Sequence, residues 1–125
     1  MIKIQNSKQY DLEERTLAFA KEVRLFVKKL PKTIGNIEDG KQLVRSSGSV
    51  GANYIEANES LSKKDFIMRA KICRKEAKET RYWLSLLDIT NSPEMEDTRA
   101  VLWNESKELM MIFGSIIRKS ENKHD

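Results

Sequence analysis

The chain has 125 residues, 34 % of them charged and 39 % hydrophobic, and 23 lysines and arginines against 19 acidic residues give a net charge of +4. This length predicts one domain, residues 1–125, and the mild positive charge is compatible with an anionic partner. The single cysteine, Cys73, excludes an intramolecular disulfide, and no apolar run approaches the roughly 18 residues of a membrane span. The start of the chain also lacks the apolar core of a signal peptide, so we expect a cytoplasmic protein without membrane contact.

The first helix is predicted over residues 12–30. Asp11 is a suitable N-cap, and apolar residues then recur every three or four positions as far as Leu30, as on one buried helix face. Pro31 ends the helix, because the residue before a proline disfavours the helical conformation. The short link that follows should return the chain antiparallel to the first helix.

The second helix is predicted over residues 36–59, with Asn36 as its N-cap. It contains Gly48 and Gly51 in its interior, where each glycine costs about 1 kcal/mol relative to alanine. Two glycines three residues apart therefore predict a close approach of another backbone at this point.

The same helix carries a polar stripe with spacings of three and four residues, made of Ser46, Ser49, Asn53, Glu56 and Ser60. If this face packs inside a bundle, the carboxylate of Glu56 needs a partner, because an unpaired buried charge is costly. We therefore expect a structural polar network of Arg45, Ser49, Asn53, Glu56, Glu76 and Glu79.

The third and fourth helices are predicted over residues 63–89 and 93–119. Ser62 and Asp65 approximate a capping box before the third helix, and Pro93 occupies a favoured first helical position of the fourth. The apolar face of the third helix is small at its centre, where Ala70, Cys73 and Ala77 recur. Four helices with short links and no strand-like alternation predict an all-α, antiparallel up-down-up-down four-helix bundle.

Metal and nucleophilic chemistry find little support in the sequence. The one histidine, His124, is the penultimate residue, so the Glu-x-x-His motif of di-iron bundles and a histidine base are both missing. We expect no metal, no cofactor and no enzymatic activity. Glu56, Glu76 and Glu79 leave two interpretations, a general acid–base pair or an ionic network with arginines, and we favour the network.

The third helix is the most basic part of the chain. Residues 63–81 contain eight lysines and arginines against three acidic residues. Two interpretations remain open, a solvated helix face and a phosphate-binding surface. Tyr82 and Trp83 could stack on bases, although aromatic residues at the end of an apolar face more often pack. The candidate phosphate contacts are Lys64, Arg69, Lys71, Arg74, Lys75 and Lys78.

Several of these residues also carry a family resemblance. Arg45, Ser49, Asn53 and Glu56 meet the pattern R-x-x-x-S-x-x-x-N-x-x-E, and Glu76 and Glu79 meet a later E-x-x-E. Together they resemble the bacterial four-helix bundle proteins encoded within intervening sequences of 23S ribosomal RNA genes. The resemblance covers nearly the whole chain. One departure is Ala57-Asn58, where many relatives have glycine after the glutamate.

The resemblance implies an antiparallel bundle that assembles into a ring of five subunits. It also implies kinship with the accessory bundle protein of diversity-generating retroelements, which works with a reverse transcriptase and nucleic acid. It implies no catalytic residue. The first hypothesis is therefore an oligomeric bundle that binds RNA or DNA through the third helix. The alternatives are a ring-shaped scaffold for a protein partner such as a polymerase and, less favoured, an enzyme using Glu56 with Glu79.

Overall fold

The computed structural model describes residues 11–122, which form four α-helices and, within that range, no β-strand. The helices are α1 (Leu12–Lys28), α2 (Ile34–Asn58), α3 (Lys63–Leu86) and α4 (Pro93–Glu121). The predicted bundle is confirmed, but some helix ends differ from the prediction. α1 ends at Lys28 and α3 at Leu86, before the predicted residues 30 and 89. α2 begins at Ile34, before the predicted residue 36, and α4 continues to Glu121, past the predicted residue 119. Residues 1–10 and 123–125, which include His124, lie outside the described residues.

The helix starts follow from side-chain caps. Asp11 accepts hydrogen bonds from the N–H groups of Glu13 and Glu14 at 3.1 and 3.3 Å, and Ser62 accepts one from Asp65 at 3.1 Å. Ser92 caps α4 in the same way, directly before Pro93. Each cap satisfies an N–H group that has no partner within its own helix.

The predicted cap of α2 is wrong. Thr33, and not Asn36, is the N-cap, and its Oγ1 accepts a hydrogen bond from the backbone N–H of Asn36 at 3.0 Å. The Asn36 side chain is instead buried and bonds the link between α3 and α4, where Asp88 lies. Asn36 is therefore used in a tertiary contact, and Thr33, three residues earlier, is the N-cap of α2.

Each helix packs against its neighbours in sequence, and α1 and α4 close the bundle. In the described helices the diagonal pairs, α1 with α3 and α2 with α4, make no close backbone contact. The centre is apolar, with fully buried side chains that include Phe19, Leu43, Leu84, Leu109 and Phe113. Because α3 is diagonal to α1, its outer face and the outer face of α1 point to opposite sides of the molecule.

The small residues of α2 serve both of its neighbours. Towards α3, the buried Ser46 accepts a hydrogen bond of 3.0 Å from the Oγ1 atom of Thr80. Towards α1, a Cβ placed on Gly51 would lie 2.7 Å from Thr16 Oγ1, and one placed on Gly48 would lie 3.3 Å from an Arg24 nitrogen. The sequence predicts that a backbone approaches closely at these glycines. The nearest atoms are instead side-chain atoms of α1, and the backbone carbon of Thr16 lies 3.8 Å from a Cβ at Gly51.

Candidate functional site

The outer face of α3 carries a line of lysines, which we call the lysine stripe. Its members are Lys64, Lys71, Lys75 and Lys78, and all four are exposed. Their separations of 7, 4 and 3 residues are close to whole helical turns, so they align along the helix on the side away from the core. The stripe therefore presents ammonium groups along about 21 Å of helix.

Most cations of this region have no carboxylate partner among residues 11–122. Lys71 Nζ lies 3.3 Å from Glu121 Oε2, and both side chains are about half exposed, so this pair contributes little to stability. Arg74, Lys75 and Lys78 form no ion pair with any residue in that range. Their charges are consequently open to solvent and to an anionic ligand.

An open groove of about 810 Å³ runs between α3 and α4 beside the lysine stripe. Lys71, Arg74, Lys75 and Lys78 line its α3 side, and α4 contributes Arg118 to the opposite side. The lining on α4 also includes Met110, Met111, Gly114 and Ser115. We did not predict Arg118 as a site residue, because the pairing of the end of α4 with the middle of α3 becomes visible only in the folded bundle.

Arg81 adds an uncompensated charge at the packed interface of the same two helices. Its guanidinium carbon lies 4.1 Å from the centroid of the Trp103 ring, and its Nη1 lies 3.8 Å from the sulfur of Met110. Its buried Nε has no hydrogen-bond partner in the described chain, and no carboxylate there pairs with it. A cation–π contact thus holds a positive charge between α3 and α4 without neutralising it.

Arg69, one of the six predicted phosphate contacts, lies on a different face of α3 from the lysine stripe. It is half-buried, and its Nη1 donates a hydrogen bond of 3.0 Å to Asn53 Oδ1 on α2. It lies two positions before Lys71, so the two side chains point about 160° apart around α3. Arg69 therefore links α3 to α2, and the other five predicted phosphate contacts remain exposed on α3.

The predicted polar network divides into two separate groups. In one, Arg45 lies 3.4 Å from Glu76 and 3.5 Å from Glu79. In the other, Asn53 accepts from Arg69 and donates its Nδ2–H to the backbone oxygen of Ser49 at 2.8 Å. Both groups join α2 to α3 along the edge of their contact.

Glu56 does not belong to either group, and the prediction of a buried, paired carboxylate there is wrong. It is exposed and forms no ion pair within residues 11–122. Three residues beyond Asn53, it has turned about 60° further from α3, to the rim of the bundle.

The same register separates the two carboxylates of the disfavoured enzyme hypothesis. Ser46 contacts Thr80 and Asn53 contacts Arg69, so α2 and α3 run antiparallel with Glu56 near the start of α3. Glu79 lies about 13 residues further along α3, or roughly 20 Å away. The two carboxylates therefore cannot act together on one substrate. Within residues 11–122 no group of three or more potential metal ligands comes together.

The comparison with family models decides the relationship of this chain. The model of the 23S rRNA-intervening sequence protein matches residues 8–114. The chain belongs to this family. A search of the curated proteins finds no match.

A solved structure agrees with the membership in the intervening-sequence family. It is the crystal structure, at 1.70 Å resolution, of a protein with unknown function from the S23 ribosomal protein family from Bacteroides thetaiotaomicron VPI-5482. It is 34 % identical to this chain, with a TM-score of 0.72, and the match covers 86 % of this chain and 95 % of that one. Neither comparison indicates a catalytic family. In the described range, none of the helices is both long and apolar enough to traverse a bilayer.

Proposed function

We propose that this intervening-sequence family member is a non-enzymatic bundle that binds RNA through the lysine stripe and the groove beside it. The observation that carries the proposal is the set of exposed cations on α3, of which Arg74, Lys75 and Lys78 lack any carboxylate partner in the described chain. Arg118 lies on the α4 side of the groove, and the residues that line the groove include no acidic one; the carboxylate of Glu121 on α4 pairs with Lys71. The family description, which refers to 23S rRNA, makes RNA the first ligand to test.

Such a surface binds phosphates without reading sequence. Lysine presents a mobile point charge that contacts backbone oxygens, and contacts of this kind supply affinity and orientation but little base discrimination. Each neutralised phosphate releases a counterion, so the logarithm of the binding constant falls by about 0.7 to 0.9 per contact for each unit of log salt. Three or four contacts predict a slope between roughly −2 and −4.

The test is a fluorescence-anisotropy titration of labelled RNA at several salt concentrations. We expect the variant Lys71→Glu/Lys75→Glu/Lys78→Glu to lose binding, because three positive charges become negative and the net charge of the site falls by about six units. A matched control, Lys21→Glu/Lys32→Glu/Lys41→Glu, makes the same charge change at exposed lysines of α1, α2 and their link. Because Lys32 and Lys41 line a groove between α1 and α2, the native mass of the control is measured first to show that it assembles as the wild type does. If both variants bind equally well, the lysine stripe is not the interface.

The alternative is a ring-shaped scaffold that contacts another protein and no nucleic acid. Apolar side chains on α1 and α2 favour an assembly: Leu17 and Leu25 are 55 % and 50 % exposed, and Ile34 and Ile37 are 83 % and 45 % exposed. A shallow, mainly apolar groove of about 440 Å³ lies between α1 and α2 near Ile37. These surfaces lie away from the outer face of α3, so subunit contacts there would leave the lysine stripe open.

We infer that the assembly is a ring of five subunits. The measurement is the native mass of the purified particle before and after nuclease treatment. A mass of five chains after nuclease treatment, with extra mass before it, is expected for an RNA-binding ring. A protein partner that stays bound after nuclease treatment and high salt, with no nucleic acid recovered, would favour the scaffold instead.

A further inference from the structure

Tyr82 lies at the end of the lysine stripe. It follows Lys78, Lys75, Lys71 and Lys64 by 4, 7, 11 and 18 residues, separations that are all close to whole turns of a helix. Its ring is 59 % exposed, so it is not the packing residue that its position after a long apolar face suggests. An aromatic ring thus extends the line of ammonium groups on the same face of α3.

The ring of Tyr82 packs against the ring of Trp83. Its centroid lies 5.0 Å from that of Trp83, at an angle of 75° between the two planes, and Trp83 itself packs against the core. This contact restrains the tyrosine while more than half of its surface stays open. A restrained, exposed ring is suited to stacking on a flat partner, because little side-chain freedom is lost on contact.

Resting on the proposed function, we infer that the ligand is a single strand and that one of its bases stacks on Tyr82. A duplex presents phosphates outward and keeps its bases stacked inside, so an aromatic ring on the protein surface gains nothing from it. A single strand offers base faces next to its phosphates, which Lys75 and Lys78 hold. Stacking on an aromatic residue accepts any base, in keeping with a surface that does not read sequence.

Two further apolar side chains on this face agree with a single strand. Met68 lies within the line of lysines and Leu86 one turn beyond Tyr82, and they are 49 % and 47 % exposed. A second copy of the same face is disfavoured as the occupant, because it would bring lysines against lysines. Alternating cations and apolar groups instead match a chain that alternates phosphates and bases.

The experiment compares three labelled probes on the full-length protein: a uridine-rich single-stranded RNA, a DNA of the same sequence, and an RNA duplex of equal length. We expect both single strands to bind more tightly than the duplex, and the RNA and DNA arms show whether the 2′-hydroxyl matters. Tyr82→Ala should weaken single-strand binding roughly 5- to 150-fold while leaving duplex binding unchanged. Tyr82→Phe, which keeps the ring, should bind normally.

Stacking is measured directly by the fluorescence of a 2-aminopurine placed in the single strand. The wild-type protein and Tyr82→Phe should quench this fluorescence, and Tyr82→Ala should not. Equal binding of duplex and single strand with no effect of Tyr82→Ala would overturn the inference while leaving the proposed function intact. Absence of binding to all three probes would instead overturn the proposed function. If Tyr82→Ala changes the mass of the particle, the side chain of Tyr82 belongs to a subunit contact, and the inference is overturned.

Discussion

Arg15 and Glu105 form a two-point ion pair that joins α1 to α4. The Nε–H and Nη2–H groups of Arg15 each donate a hydrogen bond of 2.8 Å to one carboxylate oxygen of Glu105. The side chains are only 12 % and 2 % exposed. The hydrogen bond to Glu105 raises the pKa of Arg15 against the opposing effect of burial. This pair lies where the bundle closes, between the first and last helices.

We predict that Glu105→Ala lowers the free energy of unfolding by about 3 to 5 kcal/mol, because it leaves the guanidinium of Arg15 largely buried without its main partner. Urea denaturation followed by circular dichroism measures the change. The matched control is Glu108→Ala: Glu108 also accepts a hydrogen bond from Arg15, at 2.9 Å, but it is 49 % exposed. Its loss should cost less than about 1 kcal/mol, and an equal cost for the two variants would contradict the argument from burial.

Asn36 makes a second long-range connection, between the two links at one end of the bundle. Its Nδ2 donates to the backbone oxygens of Pro31 and Asp88 at 2.9 and 2.8 Å, and its Oδ1 accepts from the N–H of Asp88 at 2.9 Å. Asn36→Ala should destabilise the protein by about 2 to 3 kcal/mol, because three part-buried hydrogen bonds to the backbone are lost. Thermal and urea unfolding measure the loss. The exposed Asn58, whose amide donates a hydrogen bond of 2.9 Å to the carboxylate of Glu13, provides the control. Asn58→Ala should stay within about 0.5 kcal/mol of the wild type.

Asn36 also shows which parts of the fold the sequence could predict. Caps at Asp11 and Ser62, and the helix start at Pro93, depend on neighbours within four residues, and each of these predictions is confirmed. Asn36 has the chemistry of a cap, but its partner Asp88 lies 52 residues away, so only the folded chain reveals its role. Local hydrogen bonding sets helix starts, whereas tertiary contacts decide which of several capable residues is used.

The same limit applies to the candidate site. The spacing of the lysines sufficed to align Lys64, Lys71, Lys75 and Lys78 on one face of α3. It could not show that Arg69 is bound by Asn53 or that Glu56 is exposed, since both depend on the rotation of α2 relative to α3. The periodicity of the sequence determines to which side of its own helix a side chain points. Which residue of the neighbouring helix it contacts depends on how the two helices are positioned relative to each other.

At Gly51 we predict that alanine destabilises the protein, although helix propensity alone predicts that it stabilises the helix. Replacing glycine by alanine in a helix interior favours the helix by about 1 kcal/mol. At Gly51, however, the new Cβ would lie 2.7 Å from Oγ1 and 3.1 Å from Cβ of Thr16 on α1, so the two helices must move apart. We expect Gly51→Ala to lower the free energy of unfolding by about 1 to 3 kcal/mol.

Two controls separate overpacking at Gly51 from other effects. A Cβ at Gly35 would meet no atom within 4 Å, so Gly35→Ala should be neutral or slightly stabilising in the same urea titration. In a Thr16→Ala background the nearest atom is gone, and Gly51→Ala should cost less than it does in the wild type. An equal cost in both backgrounds would show that the hydroxyl of Thr16 is not the cause.

The reactivity of Cys73 tests whether this part of the core is closed to solvent. The residue is fully buried on α3, and burial raises the pKa of its thiol from 9.0 to about 12. The thiolate is the reactive form, so iodoacetamide near neutral pH should modify the folded protein far more slowly than the protein in denaturing urea. Mass spectrometry of quenched samples measures both rates. Comparable rates with and without urea would mean that α3 exposes this position.

The raised pKa of Cys73 also sets the direction of a pH effect on stability. Between pH 9.0 and about 12 the thiol ionises in the unfolded chain but not in the folded one. The unfolded state therefore binds fewer protons, and the free energy of unfolding falls as the pH rises through this window. Lysines and tyrosines titrate there too, so the contribution of Cys73 is the difference between the wild type and Cys73→Ala. We expect the wild type to lose stability more steeply above pH 9.0, and parallel curves for the two proteins would contradict a buried thiol.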